Sequence, residues 1–213
     1  MAFTREELYR HVADFLNEDS VVPDSTMPAA IKIAGHELSA AEFVLAMHPW
    51  NFASAVKRLQ LAATADPDIV DSDPIGWTYA YAKGAVLRTN WVSPTGRERD
   101  RLTQAGQWDD KGGRILSNIT PLYLDGVQQI FATQAKYGYW PRLFGIAVAS
   151  VIGDWLTGPV TNSRGKQSDM SARSIALVED AHTWDAQQAP APTRRRGRWN
   201  RSRQGPRFAS GEL

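Results

Sequence analysis

Apolar residues along this chain follow two different periods. Leu8, Val12, Phe15 and Leu16 recur at helical spacing behind Thr4 and Glu7, a capping-box pair with Phe3 and Leu8 at the flanking staple positions. A helix over residues 4–17 is predicted, closed by Asn17-Glu18-Asp19-Ser20. A second helix over 28–47 opens on Pro28 in its first turn and gathers Ile31, Ala34, Leu38, Ala41, Val44 and Leu45 on one side. Pro49 disfavours helical backbone at His48 and ends it. The period then changes. Trp50, Phe52, Ser54 and Val56 alternate with Asn51, Ala53, Ala55 and Lys57, and Trp77, Tyr79 and Tyr81 alternate with Thr78 and Ala80, so two strands are expected. Between them, Ala65-Asp66-Pro67-Asp68 and Asp71-Ser72-Asp73-Pro74 supply turns.

Shorter strands follow around Asn90–Val92, Arg114–Asn118 and Leu122–Val127, parted by Ser93-Pro94-Thr95-Gly96 and Asp110-Lys111-Gly112-Gly113. The helical period returns over 141–157, where Pro141 can take the first position and Phe144, Val148, Val151, Ile152 and Trp155 form a stripe that Gly158-Pro159 should stop. A last helix over 166–186 places Met170, Leu177, Val178, Ala181 and Trp184 on its buried side. The fold predicted is α+β, mainly α. The N- and C-terminal helices form a bundle, a small antiparallel β-lobe spans about 50–130, and the whole of 1–189 is one domain.

Composition changes this picture at one end. The 213 residues carry a net charge of only +1, but from Pro190 onward seven arginines stand against Glu212, leaving +6 on residues 190–213 and −5 on the rest. Ala189-Pro190-Ala191-Pro192 cannot continue a helix, and the residues after it have little to bury, so an extended basic arm is expected. Three roles are open to it: a solvated run, a protein-docking arm, or a nucleic-acid contact. Trp199 lies amid the arginines without apolar neighbours and has the character of an anchor for a partner pocket. There is no cysteine, which removes disulfides, thiolate nucleophiles and Cys-type zinc sites. No leader-like or membrane-spanning run is read, so no membrane partner is expected.

The chain carries few signs of chemistry. Phosphate-binding and dinucleotide loops, the Gly-x-Ser-x-Gly elbow and the His-Glu-x-x-His helix are all missing, and no enzyme, catalytic residue, cofactor or metal is expected. His11 with Asp14, and His36-Glu37, are too few ligands for a metal. Asp109-Asp110 reads as a solvated Gly-rich turn. The Trp77, Tyr79 and Tyr81 face admits two readings: a stacking platform for sugars or bases, or a cover over a core or subunit contact.

The order of motifs is itself informative. A short helix, a long helix, His48-Pro49-Trp50-Asn51-Phe52-Ala53, Gly76-Trp77-Thr78-Tyr79-Ala80-Tyr81, then Tyr139-Trp140-Pro141-Arg142-Leu143-Phe144 opening a helix resembles the tail tubular protein A family of tailed phages, over roughly residues 4–186. After the Tyr-x-Tyr strand, where family members tend to carry Leu-Pro, this chain has Ala82-Lys83-Gly84-Ala85. The resemblance implies a structural head-to-tail adaptor of the virion, assembled in the host cytoplasm. Such a protein is a homo-oligomeric ring, usually of about twelve subunits, that binds the portal protein on one side and a tail or nozzle protein on the other, with genomic DNA passing through. It also implies that Trp50, Phe52, Trp77, Tyr79, Tyr81, Trp140 and Phe144 are structural or assembly residues. By position, Arg194, Arg195, Arg196, Arg198, Trp199, Arg201 and Arg203 would meet the portal. The alternatives are a DNA-binding accessory protein acting through the tail, or a carbohydrate-binding tail component.

Overall fold

A computed structural model describes residues 3–18, 21–61, 76–111, 113–161 and 164–188. Five α-helices lie among them: α1 (Arg5–Leu16), α2 (Pro28–Met47), the single turn α3 (Gln104–Gln107), α4 (Arg142–Thr161) and α5 (Arg164–Gln188). Seven strands accompany them: β1 (Ser54–Arg58), β2 (Gln60–Leu61), β3 (Tyr79–Ala82), β4 (Val86–Ser93), β5 (Trp108–Lys111), β6 (Arg114–Ser117) and β7 (Tyr123–Gln128). The strands form two antiparallel sheets, one in the order β1-β7-β4 and the other β2-β3-β6-β5.

The helical bundle with an inserted lobe expected from the sequence is therefore corrected to a genuine α+β fold. The reason lies in the two faces of the first sheet. On β7, Val127 joins the helical core while its near neighbour Leu124 joins a second core. On β4, Leu87 leans on the helical core while Val86 and Val92 belong to the second. A strand apolar on both faces must be covered on both, so this sheet is a middle layer, with helices on one side and the β2-β3-β6-β5 sheet on the other. Tyr81, Trp108 and Ile115 supply the outer sheet's half of that second core. Gly126 on β7 permits the layering, because a Cβ there would overlap the Arg88 carbonyl and the Val86 side chain of the bulged strand β4.

Local predictions fare unevenly. The capping box forms as read, with Thr4 Oγ1 accepting from the Glu7 amide at 3.2 Å and Glu7 Oε2 accepting from the Thr4 amide at 3.1 Å. The first strand does not begin at Trp50. Asn51–Ala53 is a 3-10 turn that breaks the alternation, and β1 starts at Ser54. Gly158-Pro159 does not stop α4, which runs to Thr161. On α2 the buried face is Ala30, Ile33, Glu37, Ala40, Ala41, Val44 and Leu45, whereas Ile31 is 62% and Leu38 50% exposed. On α5 the buried seam is Met170, Ser174, Val178, Ala181 and Asp185, with Trp184 39% exposed. In both helices a buried carboxylate holds a position that an apolar count assigns to solvent.

The helical layer closes around α4. Gly145, Ala149 and Gly153 recur every fourth residue and are all buried, which lets α1 approach closely: a Cβ at Gly145 would collide with the Phe3 ring, and one at Gly153 would stand 3.0 Å from Phe15 Cβ. Phe3 cannot give way, because it is buried against Trp140 with ring centroids 6.0 Å apart. Gly145→Ala is expected to destabilise the fold by about 1–3 kcal/mol through overpacking. Gly35→Ala on α2, where a Cβ meets nothing within 4 Å, should instead be neutral or stabilise by about 0.5–1 kcal/mol. Urea unfolding of the two variants checks the contrast.

Candidate functional site

The residues singled out from the sequence divide into three groups. The first converges on one joint. His48 ends α2 in extended conformation, and the turn after Pro49 drives Trp50 into the core, where it is 0% exposed and its indole Nε1 donates to the Val44 carbonyl at 2.9 Å. Phe144, from the first turn of α4, meets Trp50, Phe52 and Trp140 in edge contacts, with centroids 4.9, 4.9 and 5.0 Å away. Trp140 donates its own N–H to the Phe131 carbonyl at 2.6 Å. Two motifs about ninety residues apart in the sequence thus share one aromatic cluster, with every indole N–H in it satisfied.

The second group lies apart, in the outer sheet. Tyr79 and Tyr81 pack into the core between the sheets, and Tyr81 donates its hydroxyl proton to the Ile119 carbonyl at 2.8 Å. Trp77 precedes the strand and packs instead with Ala80 and Leu116. The single aromatic face read from alternation does not form: Trp77 is separated from the two tyrosines, and with Trp77 and Tyr81 both buried there is no platform on which a sugar or base could stack. The third group, Arg194, Arg195, Arg196, Arg198, Trp199, Arg201 and Arg203, lies outside the described residues.

The most elaborate polar arrangement was not legible from motifs. Glu37, 3% exposed on α2, accepts from Arg5 Nε at 3.0 Å, from Gln134 Nε2 at 2.7 Å and from the Tyr137 hydroxyl at 3.1 Å, and forms an ion pair with Arg5 Nη2 at 2.9 Å. Arg5 reaches on to the exposed Asp24 at 2.7 Å and donates to the Tyr9 hydroxyl at 3.2 Å. Burial opposes the charge on Arg5, but Glu37 and Asp24 outweigh it and hold the pKa above its ordinary value. Burial, reinforced by the Glu37 charge, pushes both tyrosines well above theirs. A shallow groove of about 380 Å³ between Ala34, Leu38, Ala132 and Thr133 opens onto Glu37. The carboxylate is already engaged by three side chains, which makes it a clamp joining α1, α2 and the 3-10 turn Gln134–Tyr139 rather than a ligand site. A lone pair one helix apart, Arg5 and Glu37, gives no sequence signal of proximity.

Other candidate pairs resolve plainly. Asp109 and Asp110 lie on β5, not in a solvated turn. Asp110 accepts from Lys83 Nζ at 2.6 Å and from the Thr89 hydroxyl at 2.9 Å, while Asp109 faces Lys111 at 3.3 Å. His11 Nδ1 stands 3.9 Å from Asp14, and no group of three or more potential metal ligands occurs among the described residues. Among the same residues no helix is long and apolar enough to cross a membrane. Exposed apolar side chains are found instead on α2 (Ile31, Leu38, Phe43), at Ile130 and Tyr139 in the 3-10 turns before α4, and on α5 (Ile175, Trp184). No protein-family model matches the chain, and no curated protein does.

Two substitution pairs test this assignment of roles. Glu37→Ala should cost about 1–3 kcal/mol, since it leaves the Gln134 amide and the Tyr137 hydroxyl without their acceptor and Arg5 with Asp24 alone, while Asp24→Ala, at a carboxylate 80% exposed, should cost less than about 1 kcal/mol. Trp50→Ala should cost about 3–5 kcal/mol, and Trp184→Ala should leave the melting of the isolated chain within about 0.5 kcal/mol. Denaturant unfolding measures all four.

Proposed function

We propose that this chain is a head-to-tail adaptor of a tailed phage: a ring subunit beneath the portal that links capsid to tail and surrounds the DNA path. The observation that carries the reading is the ordered motif set. Its first and third members, His48–Ala53 and Tyr139–Phe144, supply Trp50, Phe52, Trp140 and Phe144 to one buried cluster. Aromatic motifs spent on a core, together with exposed apolar residues on α2 and α5, suit a part that assembles better than one that reacts. The charge division supports it too. A body of −5 would let DNA slide, and the +6 segment with Trp199 is suited to gripping a protein pocket.

The alternative that the same charges favour is a DNA-binding accessory protein, and one experiment separates the two. Light scattering and electron micrographs of the full chain mixed with portal rings should show a ring-shaped assembly seated on the portal. Deleting residues 190–213 should abolish seating, and Trp199→Ala should weaken it by about 2 kcal/mol or more. A chain that ignores portals but binds duplex DNA with a log–log salt slope approaching about −6 would overturn the adaptor reading.

A further inference from the structure

The end of α5 is tied to the corner after α2 by two kinds of contact. His48 and His182 stack nearly parallel, with centroids 4.0 Å apart and planes 12° apart. Trp50 meets both rings edge-on, at 5.8 and 6.0 Å. One turn further along α5, Asp185 takes the Asn51 amide on Oδ2 at 2.6 Å, and its carbonyl takes Asn51 Nδ2 at 2.8 Å. His48 Nε2 is buried without a hydrogen-bond partner among the described residues. Two neutral imidazoles, or one neutral and one protonated, can stack in this way. Two imidazolium ions at this separation repel strongly.

The geometry points to an acid-operated latch: the His48–His182 stack holds the C-terminal end of α5 against the His48–Asn51 corner while at most one ring carries a proton, and releases it when both do. The surrounding charges reinforce this. From β4, Arg88 approaches the corner with Nη1 donating to the Met47 carbonyl at 2.7 Å, and its charge disfavours a proton on His48; Glu179 on α5 favours one weakly. Burial is the largest influence, and with His182 and Arg88 it lowers the His48 pKa below its ordinary 6.5. An opened joint therefore binds more protons than a closed one. The closed joint has its full stability above about pH 6.5 and loses it as the pH falls through the depressed folded value.

Asp185 has the opposite sign. Burial raises its pKa, against the pull of the Asn51 and Phe52 amides and His182, so its contribution grows as the pH falls toward the ordinary 3.8. Any loosening in mild acid traces to the histidines. The joint matters for the basic segment, because α5 ends at Gln188, immediately before that segment begins. The latch does not depend on the adaptor reading.

Backbone amide exchange of the full chain, corrected for the intrinsic effect of pH, tests it. Between pH 7.5 and 5.0, residues 48–53 and 178–188 should exchange about tenfold faster, equivalent to about 1.4 kcal/mol of opening, while strand β6 of the outer sheet, which carries no histidine, keeps its protection. His182→Phe retains a stacking ring without a proton site and should make that protection independent of pH. Unchanged wild-type protection, or the same acid loss in His182→Phe, overturns the latch. Should the variant not fold, NMR titration of the two imidazoles in the wild-type chain decides: steps separated by about one pH unit or more support coupling, and two independent titrations near 6.5 overturn it.

Discussion

Three elements of the helical layer, α2, α4 and α5, are positioned by the burial of one indole. Trp50 enters the core because Pro49 ends α2 and turns the chain inward. Once there it caps the Val44 carbonyl, meets the first turn of α4 through Phe144 and receives the end of α5 through His182. Three helices distant in sequence thus share one side chain. The indole N–H makes the arrangement specific: it needs an acceptor in an apolar surrounding, and a free carbonyl at the C-terminal end of α2 provides one.

The Arg5–Glu37 clamp plays a complementary part midway along α2. A buried ion pair contributes little net stability, but leaving either partner alone is costly, so misdocked arrangements of α1 on α2 are disfavoured more than the correct one is favoured. Gln134 and Tyr137 extend the same logic to the turns before α4. The pair also explains why α2 presents Ile31 and Leu38 outward: its buried face is fixed by a charge.

The helices were legible because their ends carry local chemistry. Thr4 with Glu7, Pro28 and Pro49 fix boundaries without reference to the rest of the chain. The layering was not legible. The double-sided apolar character of β4 and β7 falls in short, bulged strands, where Leu87 and Leu124 look like exceptions to alternation instead of members of two cores. Which face of α2 is buried was misread because an apolar count cannot see that Glu37 has a partner thirty-two residues away. In the candidate site, the convergence of Trp50 with Phe144 follows the motif order, whereas Trp77 parts from Tyr79 and Tyr81 because the strand begins two residues late.

The placement of the chain ends relative to α4 has a mechanical consequence. α1 and α5, the first and last described helices, both pack on α4. A pull applied at the two ends of the described chain is therefore transmitted by side-chain packing across α4, along the Gly145–Ala149–Gly153 groove on one side and the Met170–Val178–Ala181 seam on the other. A second path runs from α1 through the Arg5–Glu37 clamp, along α2 and into α5 by the Asn51–Asp185 contact, and the two sheets lie off both. Under load the helical layer would shear first, with the sheet layers carried along as an intact passenger.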